Sequence, residues 1–166
     1  AERLVTADGV KAIVGADCSG VTGAVLQGVA RPQGIGMISP SSTSPALSTA
    51  EDDGLFFRTA PSDAREGEVM GDILSEKGVK TIALTYSNSD YGKGLADEIA
   101  KAMEGKGAKP ALRESITAGE KDYSGLIAKL KQAGVEVMAF GGYHTEVALI
   151  LRQAEQADRK STRLNS

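Results

Sequence analysis

A chain of 166 residues in which 41% are apolar and 25% are charged has the composition of a folded globular domain, and it is long enough to bury a core. A net charge of −3, with no basic stripe that carries interleaved aromatics, excludes a nucleic-acid-binding function. No run approaches the roughly 20 apolar residues of a membrane span. One histidine and one cysteine cannot form a Cys/His zinc cluster, so we expect neither a metal nor a cofactor.

The first 60 residues alternate between helical and extended patterns. They predict, in chain order, a helix over residues 1–7, a strand over 10–15, a helix over 21–29, a strand over 36–39, a polar loop over 40–53 and a strand over 55–59. Ser-, Gly- and Thr-rich segments follow the first two strands. Such segments are typical of the carboxyl ends of parallel strands, where open α/β sheets bind small ligands.

The pattern is cleaner after Pro61. A helix begins at Ser62 or Asp63, and its predicted inward face is Val69, Met70, Ile73 and Leu74. Three strand–helix units follow, with strands over residues 79–86, 111–117 and 135–140. The buried stripes predicted for their helices are Leu95, Ile99 and Met103; Leu126, Ile127 and Leu130, after a cap at Asp122; and Val147, Ile150, Leu151 and Ala154.

Consecutive strand–helix units predict an α/β fold with doubly wound parallel sheets and right-handed crossovers. The last helix is expected to end at residue 157. Residues 158–166 are polar and aperiodic, and we interpret them as a non-native tail that takes no part in the fold.

Binding is favoured over catalysis. The hydroxyls and free backbone N–H groups of the two polar loops are suited to bind the carboxylate of a small zwitterion. They are less suited to catalyse a reaction on it. A nucleotide-dependent enzyme is disfavoured because Gly15, Gly20 and Gly23 do not form G-x-G-x-x-G and no G-K-[ST] loop exists. His144 has no neighbouring nucleophile to activate, so we do not expect an enzyme.

Seven short motifs occur in one order along the chain. They are GVKAIVG at 9–15, CS at 18–19, MISPSSTSP at 37–45, FRT at 57–59, DYGKG at 90–94, TAGEKDYS at 117–124 and GGYH at 141–144. Together they resemble the branched-chain amino acid binding proteins of bacterial ABC importers, the leucine/isoleucine/valine type of periplasmic binding protein. The resemblance covers residues 1 to about 157.

The resemblance implies a type I periplasmic binding protein with two α/β lobes and a ligand held between them. It implies that this chain is an internal fragment, with residues 1–60 in the first lobe, a hinge crossing at 58–61, and residues 61–157 in the second lobe. The implied location is the periplasm or the cell surface, with a signal peptide lost together with the missing amino-terminal part. The implied partners are an amino acid, branched-chain or otherwise aliphatic, and the ABC permease subunits in the membrane.

Five site residues are implied by the same resemblance. Ser19 matches the family serine whose hydroxyl holds the ligand carboxylate. Ser41 and Thr43 match the positions that hold the same carboxylate and begin to bind the ammonium. Tyr91 and Tyr143 match the aromatics of the second lobe that close over the ligand. The acidic partner of the ammonium would lie beyond the last residue.

The residues by themselves allow simpler interpretations. Ser19 and Thr43 could satisfy loop backbone groups or cap helices, Tyr91 could pack against the sheet, and Tyr143 could cap a turn. Cys18, taken alone, is most often a small buried hydrophobe, whereas the resemblance implies half of a disulfide whose partner lies outside the chain.

Two further features leave the ligand open. Residues 20–23 and the Ser41-Ser42 pair depart from the best-known members, so the resemblance does not settle the ligand's side chain. A ligand-sensing domain of a receptor or regulator, or an amide- or urea-binding protein of the same fold, is the alternative.

Glu146 is interpreted as a first-turn carboxylate with a possible role in the cleft.

Overall fold

The computed structural model describes the backbone of residues 1–164 and the side chains of residues 1–158. Its helices are α1 (Glu2–Thr6), α2 (Ser19–Val25), α3 (Asp63–Glu76), α4 (Asp90–Glu104), α5 (Ser124–Gln132) and α6 (His144–Leu164). Its strands are β1 (Ala12–Val14), β2 (Gly36–Ser39), β3 (Phe56–Arg58), β4 (Ile82–Ser87), β5 (Leu112–Ile116) and β6 (Val137–Gly141). A π-helical turn, Leu26–Ala30, continues α2, and a 3₁₀ turn, Pro45–Ser48, lies within the predicted polar loop.

The strands form two parallel sheets, as predicted. Sheet A has the order β1-β2-β3, and sheet B has the order β5-β4-β6. Each predicted strand exists, although most are shorter than the apolar run that indicated them, because ladder pairing ends before the apolar residues do. Parallel strands need crossover connections. Helices supply them from β1 to β2 and between the strands of sheet B, whereas a loop with the 3₁₀ turn connects β2 to β3.

The main core lies between sheet B and the pair α3–α4. Leu95, Ile99 and Met103 are buried there against Leu84 and Leu74, which confirms the stripe predicted for α4. A second cluster joins Ile116, Tyr123 and Ile150 under α5 and α6. The cap predicted at Asp122 is displaced by one residue, because Tyr123 is the N-cap of α5; the Asp122 carboxylate still accepts the N–H of Ser124, the first helical residue, at 2.9 Å.

The predicted inward face of α3 is partly wrong. Leu74 is buried, but Val69 and Ile73 are 39% and 41% exposed. The helix instead packs against α4 through Gly67 and Gly71. The two backbones are so close there that a side chain at either position would collide with α4. A Cβ at position 67 would lie 2.6 Å from the Cβ of Glu98 and 2.8 Å from its backbone carbonyl carbon.

The stripe and the end predicted for α6 also need correction. Leu151 is 61% exposed, and Leu149 packs against the cluster around Ile150 in its place. The backbone stays helical to Leu164 instead of ending at residue 157, because the polar run 158–164 contains no residue that stops a helix. Residues 165–166 lie outside the described part, and the non-native origin of the segment 158–166 stays a prediction.

One face of sheet A carries an exposed apolar row. Val14, Ile38 and Phe57 stand in register across the three strands and are 82%, 39% and 60% exposed. On the opposite face, Ile13 lies against the buried cluster that contains Met37. Parallel sheets are normally covered on both faces, so this row is an unusual surface for a parallel sheet.

We expect the 166-residue chain to self-associate through this row. A Phe57→Ser, Val14→Thr double variant should sediment closer to the monomer over a range of concentrations, because less apolar surface is gained by association. The matched control is Leu151→Ser, which removes an equally exposed apolar side chain from the other half of the chain. Equal effects of the two changes in analytical ultracentrifugation would argue against a specific role of sheet A.

The α3–α4 contact generates a second test. Gly67→Ala should lower the free energy of unfolding by about 1–3 kcal/mol, because its Cβ meets backbone that cannot move aside. Gly125→Ala on α5 is the control, since a Cβ there meets nothing within 4 Å, and it should be neutral or stabilising by up to about 1 kcal/mol. Urea unfolding followed by circular dichroism measures both, and equal values would contradict the packing described.

Candidate ligand-binding site

The carboxyl ends of β1 and β2 in sheet A face the carboxyl ends of β4 and β6 in sheet B. Between them lies a cavity of about 230 Å³, lined by Asp17, Cys18, Ser19, Ser41, Thr43, Tyr91 and Tyr143. The structure thus brings together all five residues that the sequence singled out. Residues more than 120 positions apart in the chain meet there, because parallel strands deliver their following loops to the same edge.

Buried hydroxyls hold the loop after β2 against the loop after β1. The Ser39 hydroxyl donates to the carbonyl of Ala16 at 2.6 Å and accepts the Ser42 N–H at 3.0 Å. The Ser42 and Thr22 hydroxyls lie 2.6 Å apart, and both residues are at most 1% exposed. The sequence analysis does not predict this role for Ser39, Ser42 and Thr22. A signal was present for Ser39, because it lies two residues after Met37 and therefore on the same, buried face of β2.

Ser19 supplies a hydrogen-bond donor at one end of the cavity. Its hydroxyl oxygen accepts the Ser44 N–H at 3.1 Å, so its own proton can be donated to a ligand. Ser19 is also the first residue of α2. The N–H groups of a first helical turn have no partner within the helix and carry the positive end of its dipole. This end of the cavity suits an anionic group.

Thr43 supplies an acceptor. Its hydroxyl donates to the carboxylate of Asp63 at 2.9 Å, and the Asp63 N–H donates back to the Thr43 carbonyl at 3.0 Å. Because the Thr43 proton is committed to Asp63, the remaining capacity of its oxygen is to accept. Asp63 is 2% exposed, and burial raises the pKa of its carboxyl while the Thr43 hydroxyl opposes that shift.

The sequence missed this role of Asp63. Its position at the start of α3 indicated only a helix cap, and Ser62 performs that task by accepting the Ala64 N–H. Asp63 instead joins the loop after β2 to the first turn of α3, on the far side of the segment 58–61.

Two tyrosines form the opposite wall. The rings of Tyr91 and Tyr143 lie 5.9 Å apart at 41°. Burial raises the pKa of the Tyr91 hydroxyl, and the charges of Asp63 and Glu66 add to this, so the phenol stays protonated at neutral pH. Tyr91 also packs against the main core, as the simpler interpretation of this residue predicted. It therefore both packs against the core and lines the cavity.

Asp17 is an unpredicted member of the lining. The Ser41 hydroxyl lies 2.5 Å from its Oδ1 and 2.8 Å from its backbone oxygen. The exposed Cys18, free within the described residues, precedes Ser19 at the start of α2. The buried interpretation of Cys18 is therefore wrong, because the turn into α2 directs its side chain toward the cavity; the disulfide stays a prediction.

The two halves of the chain touch beside the cavity through glycines. A Cβ on Gly20 would lie 3.3 Å from the Asp90 carboxylate, and one on Gly94 would lie 3.1 Å from Cδ of Pro45. Both distances are shorter than ordinary van der Waals contact, so the two halves touch directly at these glycines.

Neither His144 nor Glu146 lines the cavity. His144 is exposed beside Lys121 and Arg152. Glu146 is 7% exposed and accepts hydrogen bonds from the Thr145 hydroxyl at 2.8 Å and the Gly119 N–H at 3.1 Å. These bonds, with the Thr145 hydroxyl contributing most, lower the pKa of its carboxyl. Glu146 holds the loop after β5 to α6, so its possible role in the cleft is not supported.

Among the residues described, no three His, Cys, Asp or Glu side chains are grouped to hold a metal ion. No helix within the described part of the chain has the length and apolar character needed to cross a membrane.

A family model described as periplasmic binding protein matches residues 1–166. The chain belongs to the periplasmic binding protein family. This is a family of binding proteins, which agrees with a cavity whose described lining offers hydrogen-bond donors and acceptors around an open space.

Within this family, the chain is similar to proteins that are named for amino acids. The chain is 44% identical over 154 residues to the leucine-, isoleucine-, valine-, threonine- and alanine-binding protein of Pseudomonas aeruginosa, covering 92% of this chain and 41% of the relative. It is 30% identical, with a TM-score of 0.79, to the branched-chain amino acid transporter substrate binding protein of Streptococcus pneumoniae in complex with isoleucine, covering 94% of this chain and 44% of that one.

A leucine binding protein of Thermotoga maritima has a TM-score of 0.83 at 23% identity, covering 94% of this chain and 44% of that one, and this likeness shows the fold alone. The chain thus spans about two fifths of the length of the periplasmic binding proteins it matches.

The environment of Glu146 generates a prediction about pH. A folded-state pKa below the ordinary 4.5 means that the charged carboxylate stabilises the fold above that pH, and that this contribution is lost as the pH falls through the folded-state pKa. Glu146→Gln should lower the free energy of unfolding by about 1 kcal/mol at neutral pH, because a charge-assisted acceptor becomes a neutral one.

Urea unfolding at neutral pH and well below pH 4.5 measures the difference between the wild type and the variant. The difference should shrink in acid. Glu104→Gln changes an exposed glutamate at the end of α4 and is the control. Its difference from the wild type in the free energy of unfolding should be the same at both pH values. A loss at Glu146 that is independent of pH would contradict this account.

Proposed function

We propose that this chain is the ligand-gripping part of a substrate-binding protein that captures an amino acid between two lobes and delivers it to an ABC importer. One observation carries the proposal. A single cavity between the two halves has a donor group, Ser19, and an acceptor group, Thr43, in its wall. A zwitterion needs both.

The α-carboxylate of the ligand is assigned to the Ser19 end. The Ser19 hydroxyl and the first turn of α2 offer donors there without a full positive charge. Neutral donors can hold a carboxylate well when they are oriented in advance, and hydrogen bonds from Ser42 and Ser44 groups orient these loops.

The α-ammonium is assigned to Thr43. An ammonium has three donors and no acceptor, so it needs oxygen atoms whose protons point elsewhere. The Thr43 oxygen meets this condition because its proton goes to Asp63. The buried carboxylate behind it adds a favourable field for a cation.

Tyr91 and Tyr143 belong to the second half, whereas Ser19 and Thr43 belong to the first. A ligand that touches both walls gains contacts in the closed arrangement that an open one does not offer. Such differential contact is the way a ligand shifts a conformational equilibrium. Closure would then present the loaded form to the permease.

The names of the relatives guide the choice of ligand. The protein from Pseudomonas aeruginosa is named for leucine, isoleucine, valine, threonine and alanine, and the one from Streptococcus pneumoniae was solved with isoleucine. We therefore take an aliphatic amino acid as the reference ligand, membrane permease subunits as the partner, and the periplasm or cell surface as the location.

Substitution of the two polar contacts tests the proposal. Ser19→Ala and Thr43→Ala should each weaken leucine binding by about 1–3 kcal/mol, roughly tenfold to a hundredfold, because a charged ligand group loses its partner. Isothermal titration calorimetry should be run on the 166-residue chain and on the complete product of its gene. Ser75→Ala, an exposed serine on α3, is the control and should bind like the wild type.

Unchanged affinity in both variants would overturn the assignment of the two residues. Heat on titration with urea or acetamide, but with no amino acid, would replace the proposal by an amide-binding function of the same fold.

A further inference from the structure

We propose that Asp17 makes this cavity selective for an amino acid with a cationic side chain over one with an aliphatic side chain. The inference rests on the proposed function and concerns only the third substituent of the ligand's α-carbon. It departs from the aliphatic ligands named for the relatives.

The described lining of the cavity contains no aliphatic side chain. It consists of one carboxylate, one thiol, three hydroxyls and two phenol rings. An aliphatic group gains its binding energy by leaving water for apolar surface, about 25 cal/mol per Å². This wall offers such surface only on the two tyrosine rings.

Asp17 carries the only formal charge in that described wall at neutral pH. Arg58, a basic side chain beside these loops, donates to the carbonyls of Ser42 at 3.3 Å and Ser44 at 2.9 Å, and it does not line the cavity. The buried Asp63 behind Thr43 adds a second acidic group close by. The electrostatic field of this part of the cavity therefore favours a cation.

Asp17 is the polar group of the lining that remains available to the side chain of the ligand. Ser19 and Thr43 are assigned to the carboxylate and the ammonium of the ligand. The Ser41 hydroxyl is committed to Asp17, where it approaches Oδ1 at 2.5 Å. Oδ2 accepts no hydrogen bond from any residue in the described part of the chain, so one carboxylate oxygen stays available.

A bound side chain would cover this oxygen. Asp17 is exposed in the structure, and an aliphatic side chain placed against it would displace water from the carboxylate without providing a partner, which is costly for a charge. A cationic side chain would form a charge-assisted hydrogen bond to it. The tilted rings of Tyr91 and Tyr143, 5.9 Å apart, add π-faces that attract cations.

Ornithine and norleucine form a matched pair of probes, because they have the same number of heavy atoms and differ by a terminal ammonium against a methyl group. Isothermal titration calorimetry with the 166-residue chain and with the complete gene product should give ornithine at least about tenfold tighter binding. Asp17→Leu should reverse the preference, since it removes the charge and supplies apolar surface. Asp17→Asn should remove the preference without reversing it.

Asp8→Leu, a change at another aspartate of the first half, is the control and should keep the wild-type ratio. Norleucine binding the wild type as tightly as ornithine, or an unchanged ratio in Asp17→Leu, would overturn the inference. If Asp17→Leu fails to give a cooperative thermal melt, the wild-type ratio and Asp17→Asn decide. Absence of binding by any amino acid would instead refute the proposed function itself.

Discussion

The site depends on a set of buried hydroxyl groups that join two loops of the first half. Ser39, Ser42 and Thr22 satisfy the carbonyls of Ala16 and Asp17, which follow β1 and have no ladder partner there. A buried polar group without a partner costs about 1–3 kcal/mol, so these bonds constrain how the loops can lie. The placement of Ser19, Ser41 and Asp17 around the cavity follows from that constraint.

Contact between the two halves depends on small residues and on one pair of hydrogen bonds. Gly20 and Gly94 allow direct contact between the halves, and the paired hydrogen bonds between Thr43 and Asp63 connect the loop after β2 to the start of α3. These bonds lie beside the segment that crosses from sheet A to sheet B. Under the proposed function, a ligand bound to Thr43 would contact a residue of the first half that is hydrogen-bonded to the second, and this would couple binding to the relative position of the two sheets.

The charges around the cavity are balanced unevenly. Donors at the start of α2 are neutral, whereas Asp17 in the wall and Asp63 behind it are acidic. Under the proposed function, an amino acid with one charge of each sign would meet donors at the start of α2 and a negative field beside its remaining substituent. Such a division between a backbone subsite and a side-chain subsite would allow one fold to serve different ligands.

The order and type of the main elements and the doubly wound parallel arrangement could be predicted from the amino-acid sequence, because hydrophobic periodicity is a local property of each segment. The resemblance to a known family led to Ser19, Ser41, Thr43, Tyr91 and Tyr143, which the structure brings to one cavity. These predictions needed only neighbouring residues or ordered motifs.

The surroundings of individual polar and apolar side chains, in contrast, depend on how the elements pack. The hydroxyls of Ser39 and Ser42 face the loop after β1, whereas Asp17 faces the cavity, and their partners lie more than 20 positions away. The contact face of α3 runs through Gly67 because the backbone of α4 comes close there, so Val69 points outward. Long-range contacts of this kind arise from packing in three dimensions, which the spacing of residues along one segment does not encode.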